Sequence, residues 1–219
     1  MLTTPDKRLA LQAYERILDL IQSRQARPGD LINERQLAEA LEMSRTPVRD
    51  ALLMLEAEGL LVRQGKRGMQ VKEMKVEDFL DALQIRMLLE PEVSRMAAAS
   101  IPAAELAGLR QRFEALIASA SNDGHEVDRE EVRAVDEGLH GLIAECAGNQ
   151  QLSSIIRTLR RQTQIFDLRS VPERFEATCH EHIAIIDALA ARDGDKASGA
   201  MAHHLDAVRA SIINRLIRT

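Results

Sequence analysis

Apolar residues recur at helical spacing along most of the chain, and proline, glycine and asparagine interrupt the pattern. In the first third, the pattern predicts three helices and two short strands, at about 6–24, 34–41, 45–58, 60–62 and 69–71. Gly65 and Gly68 lie between the two strands and suit a tight hairpin. Three helices followed by a hairpin is the order of a winged helix-turn-helix domain, so we predict that fold for residues 1–74.

The rest of the chain follows the helical pattern almost without exception. It predicts six further helices, at about 76–99, 103–120, 127–147, 149–169, 173–191 and 195–217. The breaks between them fall at Pro102, Asn122-Asp123-Gly124, Gly148-Asn149, Val171-Pro172 and Asp193-Gly194. We therefore predict a mainly α protein, in which an all-α helical bundle at residues 75–219 follows the winged helix-turn-helix domain.

The length and composition agree with a water-soluble protein of one large domain or two modest ones. Of the 219 residues, 45% are apolar and 29% are charged, as is usual for globular domains. There is no stretch of about 18 apolar residues, so no membrane span is predicted. The two cysteines, Cys146 and Cys179, form no CxxC pair, and such sparse use fits a reducing compartment. We expect the protein to lie in the cytoplasm.

The distribution of charge matters more than its total. The net charge is −5, which by itself argues against binding of nucleic acid. Residues 1–74, however, hold 12 Lys/Arg and 11 Asp/Glu, a balance of +1, and the remainder holds 17 and 23, a balance of −6. A nearly neutral first domain with clustered basic residues can still bind phosphates, because binding depends on the local density of positive charge and not on the net charge.

The predicted helix at 45–58 has the features of a DNA-recognition helix. Ser44 precedes it and is expected to cap it by accepting a backbone N–H, and Pro47 falls in its first turn. A helix that starts in this way presents free amides to a phosphate. Arg45 and Arg49 lie four residues apart, on a face turned away from the apolar stripe. They suit bidentate contacts with guanine O6 and N7 in the major groove.

Basic residues outside this helix can add further contacts with DNA. Arg35 starts the preceding helix and can reach backbone or base. Lys66 and Arg67 at the hairpin tip can enter the minor groove or bind phosphate. The alternative is that the two arginines of the predicted recognition helix form a solvated face and pair with Asp50.

The segment from Leu31 to Leu60 resembles the GntR family of bacterial regulators. The matching residues are Leu37-Ala38, Ser44-Arg45-Thr46-Pro47-Val48-Arg49, Ala51-Leu52 and Glu58-Gly59-Leu60. The resemblance implies a dimer that binds a palindromic operator through this helix and the wing. With the basic residues above, it gives eight expected DNA-binding residues, Arg35, Ser44, Arg45, Thr46, Arg49, Lys66, Arg67 and Gly68.

The helical remainder resembles the FCD domain, the ligand-binding domain of the FadR branch of that family, so the likeness covers nearly the whole chain. The matching residues are Arg86-Met87-Leu88-Leu89-Glu90-Pro91, Asp136 with His140, Gly148-Asn149, Glu181-His182-Ile183 and His204-Leu205. The resemblance implies a ligand-responsive homodimer, which in the commoner case is a repressor released by its effector.

Three histidines and a carboxylate on the predicted bundle helices are candidate metal ligands. Asp136 and His140 are four residues apart and leave one helix face among apolar neighbours. His182 and His204 share stripes with apolar residues, so all four side chains are expected to point inward. These ligands suit Zn²⁺, with nickel or another divalent transition ion as the alternatives. The alternative interpretation is that these histidines bind no metal and are ordinary core or surface residues.

Other polar side chains lie near these positions in sequence. His180 and His203 lie on other helix faces with more polar neighbours, so we do not expect them to bind metal. Arg86 is a candidate for contact with an anionic effector in the same pocket. An i,i+4 ion pair between Arg86 and Glu90 is the alternative.

The sequence thus predicts a regulator whose metal-containing pocket senses a small organic acid and changes the spacing of two winged helices on DNA. A metalloenzyme is the rival interpretation, because an Asp/His₃ site with open positions can activate water. The sequence offers it no separate general base, nucleophile motif or cofactor loop, so we do not predict an enzyme. A DNA-binding dimer with a purely structural metal is the third interpretation.

Overall fold

The computed structural model describes residues 4–120, 128–165 and 174–218. Within them the chain forms nine α-helices, three short strands and one 3₁₀ turn, in the order α1 (Thr4–Gln22), β1 (Leu31–Ile32), α2 (Glu34–Ala40), α3 (Arg45–Ala57), β2 (Leu61–Arg63), the 3₁₀ turn (Gly65–Arg67), β3 (Met69–Val71), α4 (Val76–Ala97), α5 (Ala103–Ala120), α6 (Arg129–Cys146), α7 (Gln150–Ile165), α8 (Phe175–Ala190) and α9 (Gly194–Arg218). The predicted mainly α fold class is confirmed. The predicted breaks at 122–124 and 171–172 lie outside the described residues.

The described residues divide into two compact units. The first takes in those of Met1–Phe79 and Arg161–Asp167, and the second takes in those of Leu80–Arg160 and Leu168–Thr219. The domain boundary between residues 74 and 75 stays a prediction from sequence. The grouping of the C-terminal end of α7 with the first unit was not predicted, because a helical pattern does not reveal what the helix packs against.

The core of the first unit forms where α1 and α2 pack on α3. The apolar stripe of α3, which comprises Val48, Leu52 and Leu55, is at most 3% exposed. Ile17 and Ile21 of α1 are buried in the same core. Burial of one side chain of this size contributes roughly 1.5–3 kcal/mol, so this packing fixes α3 and leaves its polar face outward.

The C-terminal end of α3 is bound by side chains from two other helices of the first unit. The Tyr14 hydroxyl donates to Oε2 of Glu58 at 2.7 Å, and Arg161 donates to both oxygens of that carboxylate at 2.9 and 3.1 Å. Gln162 donates to the Glu58 carbonyl at 2.7 Å. Burial and the bond to Glu58 raise the pKa of Tyr14 well above its ordinary value. These bonds hold the end of α3 that lies farthest from Arg45.

The sheet of the first unit contains a strand that the sequence did not predict. The strand order is β1-β3-β2 with both pairings antiparallel. β1 has only two residues, Leu31 and Ile32, and so short a segment has no alternation to detect. Between β2 and β3, Gly68 has a φ of 102°, and a Cβ there would lie 3.4 Å from the Ile32 carbonyl oxygen. A glycine is therefore required where the wing loop ends.

In the second unit, α5 packs against α6 and α8, and α8 packs against α9. Their inward faces are apolar, and Phe113, Leu139, Ile185 and Leu205 are at most 2% exposed. The same unit buries six ionisable side chains to 7% exposure or less, namely Arg86, Glu90, His140, Arg160, His182 and His204. Burial of so many such groups is unusual and points to a site. Of the helices described, none is long and apolar enough to cross a membrane.

Candidate DNA interface and metal centre

The start of α3 presents its polar face to solvent. The side chains of Arg45 and Arg49 are 61% and 58% exposed, and both guanidinium groups bind the carboxylate of Glu34 at 2.9–3.0 Å. This ion pair takes the place of the pairing with Asp50 that the sequence left open. Glu34 is the first residue of α2, and the sequence did not single it out because an acidic residue is ordinary at a helix N-terminus.

The prediction that Ser44 caps α3 is wrong. Ser44 occupies the N-cap position with extended backbone, but its side chain makes no cap hydrogen bond within the described structure. Asn33 does cap α2, where its side chain accepts from the amides of Arg35 and Gln36. Ser44 is exposed, and the first amides of a helix without a side-chain cap are left to other acceptors, such as water or a phosphate oxygen.

The other residues expected to bind DNA also belong to the first unit. Arg35 is 75% exposed on α2. Thr46 is exposed in the first turn of α3, and Arg67 is exposed at the end of the 3₁₀ turn, directly before Gly68. The side chain of Lys66 lies outside the described part of the chain. The structure therefore joins the two arginines of α3 through Glu34, and places Arg35 and the wing on the same unit.

Three histidines from three helices meet inside the second unit. His140 of α6, His182 of α8 and His204 of α9 are 1–3% exposed, and one ligand atom of each lies within 4.8 Å of the other two. The Nε2 atoms of His140 and His182 are 3.3 Å apart. We call these three residues the histidine cluster. They are the three histidines that the sequence singled out, whereas His180 and His203 lie on exposed faces.

Asp136 directs one carboxylate oxygen toward the histidine cluster and the other toward an arginine. Its Oδ1 atom lies 3.3 Å from Nε2 of His182 and 3.8 Å from Nε2 of His140. Its Oδ2 atom accepts from Nη2 of Arg160 at 2.5 Å. Burial alone would raise the pKa of Asp136, but Arg160 holds it well below its ordinary value. Oδ1 is therefore an anionic ligand atom next to the imidazoles.

Two further carboxylates orient two of the imidazole rings. Oε2 of Glu90 lies 2.6 Å from Nδ1 of His140, and Oε2 of Glu181 lies 2.9 Å from Nδ1 of His204. An ionised carboxylate only accepts, so each Nδ1 donates its proton and each Nε2 keeps its lone pair. Nδ1 of His182 is buried and has no hydrogen-bond partner among the residues described. Two rings are thus held in the form that binds a metal through Nε2.

Burial keeps two rings of the cluster, those of His140 and His204, neutral. Burial, together with the positive charge of Arg160, lowers the pKa of His140 to about 3. Burial and the neighbouring His182 lower the pKa of His204 to about 4. Both rings are therefore neutral near pH 7, and metal binding requires the neutral ring.

The donor set fits a divalent transition ion. Three imidazole nitrogens and a carboxylate oxygen are ligands that Zn²⁺ and neighbouring metals prefer, and carboxylates behind the imidazoles are their usual outer partners. The residues that would hold the ion are His140, His182, His204 and Asp136. Cys179 is buried but is not part of the group of ligand atoms that the described structure brings together. Burial and the charge of Asp136 raise the pKa of this thiol to about 11, so it stays protonated.

Arg86 forms the ion pair that the sequence left open as an alternative. Its Nε atom lies 2.5 Å from Oε1 of Glu90, whose other oxygen binds His140. Contact of Arg86 with an effector therefore stays a prediction. No separate role for Glu90 or Glu181, and none for Arg160, could be predicted, because a charged residue in a helix carries no sign of whether it is buried.

Sequence similarity to known proteins extends over nearly the whole chain. The profile of the gntR family of bacterial regulatory proteins matches residues 9–71, and that of the FCD domain matches residues 81–207. The uncharacterized HTH-type transcriptional regulator YcbG of Bacillus subtilis is 32% identical over 224 residues, which cover 96% of this chain and 93% of that protein. The HTH-type transcriptional repressor RspR of Escherichia coli is 28% identical over 194 residues, which cover 84% of this chain and 80% of that protein.

A solved structure shows the same fold. Escherichia coli McbR/YncC covers 99% of this chain and 100% of its own, with a TM-score of 0.80 at 22% identity. The matched family and the relatives are transcriptional regulators and not enzymes. The chain therefore belongs to the GntR family of bacterial regulatory proteins, as an FCD-containing, DNA-binding transcriptional regulator.

Proposed function

We propose that this regulator is a repressor that binds a palindromic operator as a homodimer and responds to a small organic acid at a metal in the histidine cluster. The observation that carries the proposal is the convergence of three buried imidazoles and a carboxylate in the FCD unit of a DNA-binding chain. Burial of ionisable groups lowers the stability of a protein unless they find partners. Proteins that bury several such groups together usually do so at a functional site.

On the DNA side, the exposed start of α3 supports recognition in the major groove. Arg45 and Arg49 are exposed there, and the N-terminus of α3 has no side-chain cap that would compete with a phosphate for its first amides. We assign DNA binding to the eight residues expected from the sequence, with the wing and Arg35 on phosphates or the minor groove: Arg35, Ser44, Arg45, Thr46, Arg49, Lys66, Arg67 and Gly68.

A homodimer would place two recognition helices on the two halves of a palindrome, about 34 Å apart. Helix α4 offers a surface for it. Ile85, Leu88 and Met96 lie on one side of this helix and are 43%, 72% and 37% exposed. The exposed Glu92 lies between Leu88 and Met96 on this side of the helix. Exposed apolar side chains grouped on one side of a helix are typical of interaction surfaces. We propose that this α4 face packs against its equivalent in a second copy, because a two-fold interface matches a palindrome.

Zn²⁺ is the ion we propose for the histidine cluster, with nickel or another divalent transition ion as the alternative. In a five- or six-coordinate site, these four protein ligands leave positions that a ligand carboxylate can fill. Four carboxylates around the cluster, those of Glu90, Asp136, Glu137 and Glu181, face three guanidinium groups, those of Arg86, Arg160 and Arg174. An added divalent ion changes the net charge of this group from −1 to +1. Such a charge attracts anions and supports a small organic acid as the effector.

The proposed effector weakens operator binding. A ligand that binds one arrangement of the dimer more tightly than another shifts the dimer toward that arrangement. The affinity for DNA then changes, typically by about fivefold to 150-fold. The repressing sense is supported by the name of RspR, a transcriptional repressor. The protein would act in the cytoplasm, where bacterial operators lie.

Selection of duplexes from a random-sequence DNA library tests the DNA-binding part of this proposal. The wild-type protein should enrich an inverted repeat and bind it with an affinity that falls steeply with salt. The double variant R45A/R49A should lose at least about tenfold in affinity for this duplex. R209A, which removes an exposed arginine from α9, is the control and should bind like the wild type. Enrichment of no sequence, or full affinity of the double variant, would overturn the assignment.

Thermal unfolding tests the ligand-binding part. The protein would be screened against a set of small carboxylic acids with and without EDTA. A metal-dependent sensor should show a higher Tm with particular acids, and EDTA should abolish this response. A purely structural metal would raise Tm without any response to acids. Chemical turnover of a stabilising acid would instead support the metalloenzyme.

A further inference from the structure

Glu34 holds both of the arginines that we assign to base reading. Its Oε1 atom accepts from Nε of Arg45 at 3.0 Å and lies 2.9 Å from Nη2 of the same residue. Nη2 and Nε of Arg49 donate to Oε1 and Oε2 of Glu34 at 2.9 and 3.0 Å. A single carboxylate on α2 thus fixes two guanidinium groups on α3.

These bonds use the same edge of each guanidinium group. For Arg45 and Arg49 alike, the contacts with Glu34 occupy the edge formed by Nε and Nη2. The end formed by Nη1 and Nη2 remains as the edge that can donate in parallel to O6 and N7 of a guanine. An arginine held in this way also has less side-chain freedom to lose when it binds a base.

Glu34 also sets the charge of this surface. Together with Arg45 and Arg49 it forms a group of net charge +1, whereas the two arginines alone would carry +2. Attraction to the phosphates of any DNA grows with positive charge, but base contacts depend on geometry. A carboxylate here therefore weakens binding to arbitrary DNA more than binding to the correct sequence.

We propose that Glu34 is a positioning residue that increases sequence discrimination, by aligning Arg45 and Arg49 with guanines and by reducing their attraction to phosphates. This inference rests on the proposed role of the two arginines. The side chain of Glu34 is only 23% exposed and stands at the N-terminus of α2, where a carboxylate is favoured. The hydrogen bond from Arg49, against a smaller effect of burial, lowers the pKa of Glu34, which keeps it ionised.

Helix α2 contains a matched control for this role. Glu39 lies 3.5 Å from Arg35, and these two side chains are 69% and 75% exposed. Replacement of either Glu34 or Glu39 by glutamine removes one negative charge from the same helix. Only the replacement of Glu34 also releases Arg45 and Arg49.

The test measures affinities for two duplexes across a range of salt. One is the sequence that the wild-type protein enriches from the random library, and the other is a shuffled duplex of the same composition. E34Q should lower the ratio of the two affinities by about tenfold, because base contacts weaken while phosphate attraction grows. E39Q removes the same charge beside Arg35 but leaves Arg45 and Arg49 bound to Glu34, so it should lower this ratio less than E34Q does. E34D, which keeps the charge but is shorter, should keep the wild-type salt dependence and lose part of the ratio.

Equal ratios for E34Q and E39Q would overturn the inference, whether or not both differ from the wild type. Full affinity of R45A/R49A for the enriched duplex would show that the proposed function of the arginines has failed as well. Weak binding by R45A/R49A together with equal ratios means that only the role of Glu34 is wrong. Thermal melting of each variant checks the fold, and if E34Q melts early, the affinity ratio of E34D decides.

Discussion

Nη2 of Arg160 lies 2.5 Å from Oδ2 of Asp136 in the interior of the helical unit. This ion pair leaves Oδ1 of Asp136 near Nε2 of His182, 3.3 Å away. Nε of Arg160 lies 3.2 Å from a Glu137 oxygen, and its Nη1 lies 4.0 Å from a Glu90 oxygen. Three carboxylates thus surround one buried cation. The cation compensates part of their negative charge, and its bond to Oδ2 of Asp136 orients Oδ1, the proposed fourth metal ligand.

Replacement of Arg160 by methionine should lower the free energy of unfolding by about 3–5 kcal/mol, the usual loss when one partner of a buried ion pair is removed. The carboxylates around it would then lie close together without this cation. Urea unfolding in EDTA measures the effect in the absence of metal. R209A breaks an exposed pair with Asp206 and should cost less than about 1 kcal/mol. Equal stability of R160M and the wild type would rule out this structural role.

H140A and H182A should each lower the zinc content of the purified protein, because each removes one proposed ligand. Elemental analysis after dialysis against zinc-free buffer gives the ratio of metal to protein. H180A and H203A are matched controls, since these histidines lie on exposed faces beside the cluster in sequence. They should keep the wild-type content. A zinc content unchanged by H140A and H182A would count directly against the metal centre.

E90Q and E181Q should weaken zinc binding by about tenfold to a hundredfold, the usual effect of losing an outer partner of a metal-binding histidine. Each variant leaves the histidine in place but removes the charge of the carboxylate that accepts from its Nδ1. Competition with a zinc-binding dye measures Kd. E92Q changes a carboxylate on the same helix as Glu90 that is 59% exposed, and it should bind like the wild type. Wild-type Kd values for both variants would show that these carboxylates do not support the metal ligands.

L88E should convert the proposed dimer into monomers, because it would place two carboxylates in an apolar two-fold interface. Sedimentation velocity measures the distribution of species over a range of protein concentrations. L11E makes the same change at a leucine of α1 that is 48% exposed, and it should leave the dimer intact. If L88E sediments as a dimer, another surface must join the two copies.

The helices and the histidine cluster could be predicted because both leave a periodic signal in the sequence. The apolar stripe of α3 repeats every three or four residues, and the structure buries it. The same test separates the histidines. His182 and His204 share stripes with apolar residues and are buried. His180 and His203 each have a carboxylate one turn away on the helix, from Glu176 and Asp206, and are exposed.

Contacts between elements could not be predicted from a single sequence. Arg160 resembles the other basic residues of α7, such as Arg157, and only the packing of neighbouring helices buries it. Glu34 meets Arg45 and Arg49 across a turn whose geometry the sequence does not specify. Ser44 has the sequence features of a cap, but its side chain forms no hydrogen bond with the amides of α3, so local propensity alone predicted a bond that is not there.

The response of DNA binding to the effector tests the central claim most directly. Affinity for the enriched duplex would be measured with zinc-loaded wild-type protein and with H140A, before and after addition of the acid that raises Tm most. We predict at least about fivefold weaker DNA binding by the wild type in the presence of the acid, and no change for H140A. Equal affinity of the wild type with and without the acid would contradict a regulator controlled through its histidine cluster.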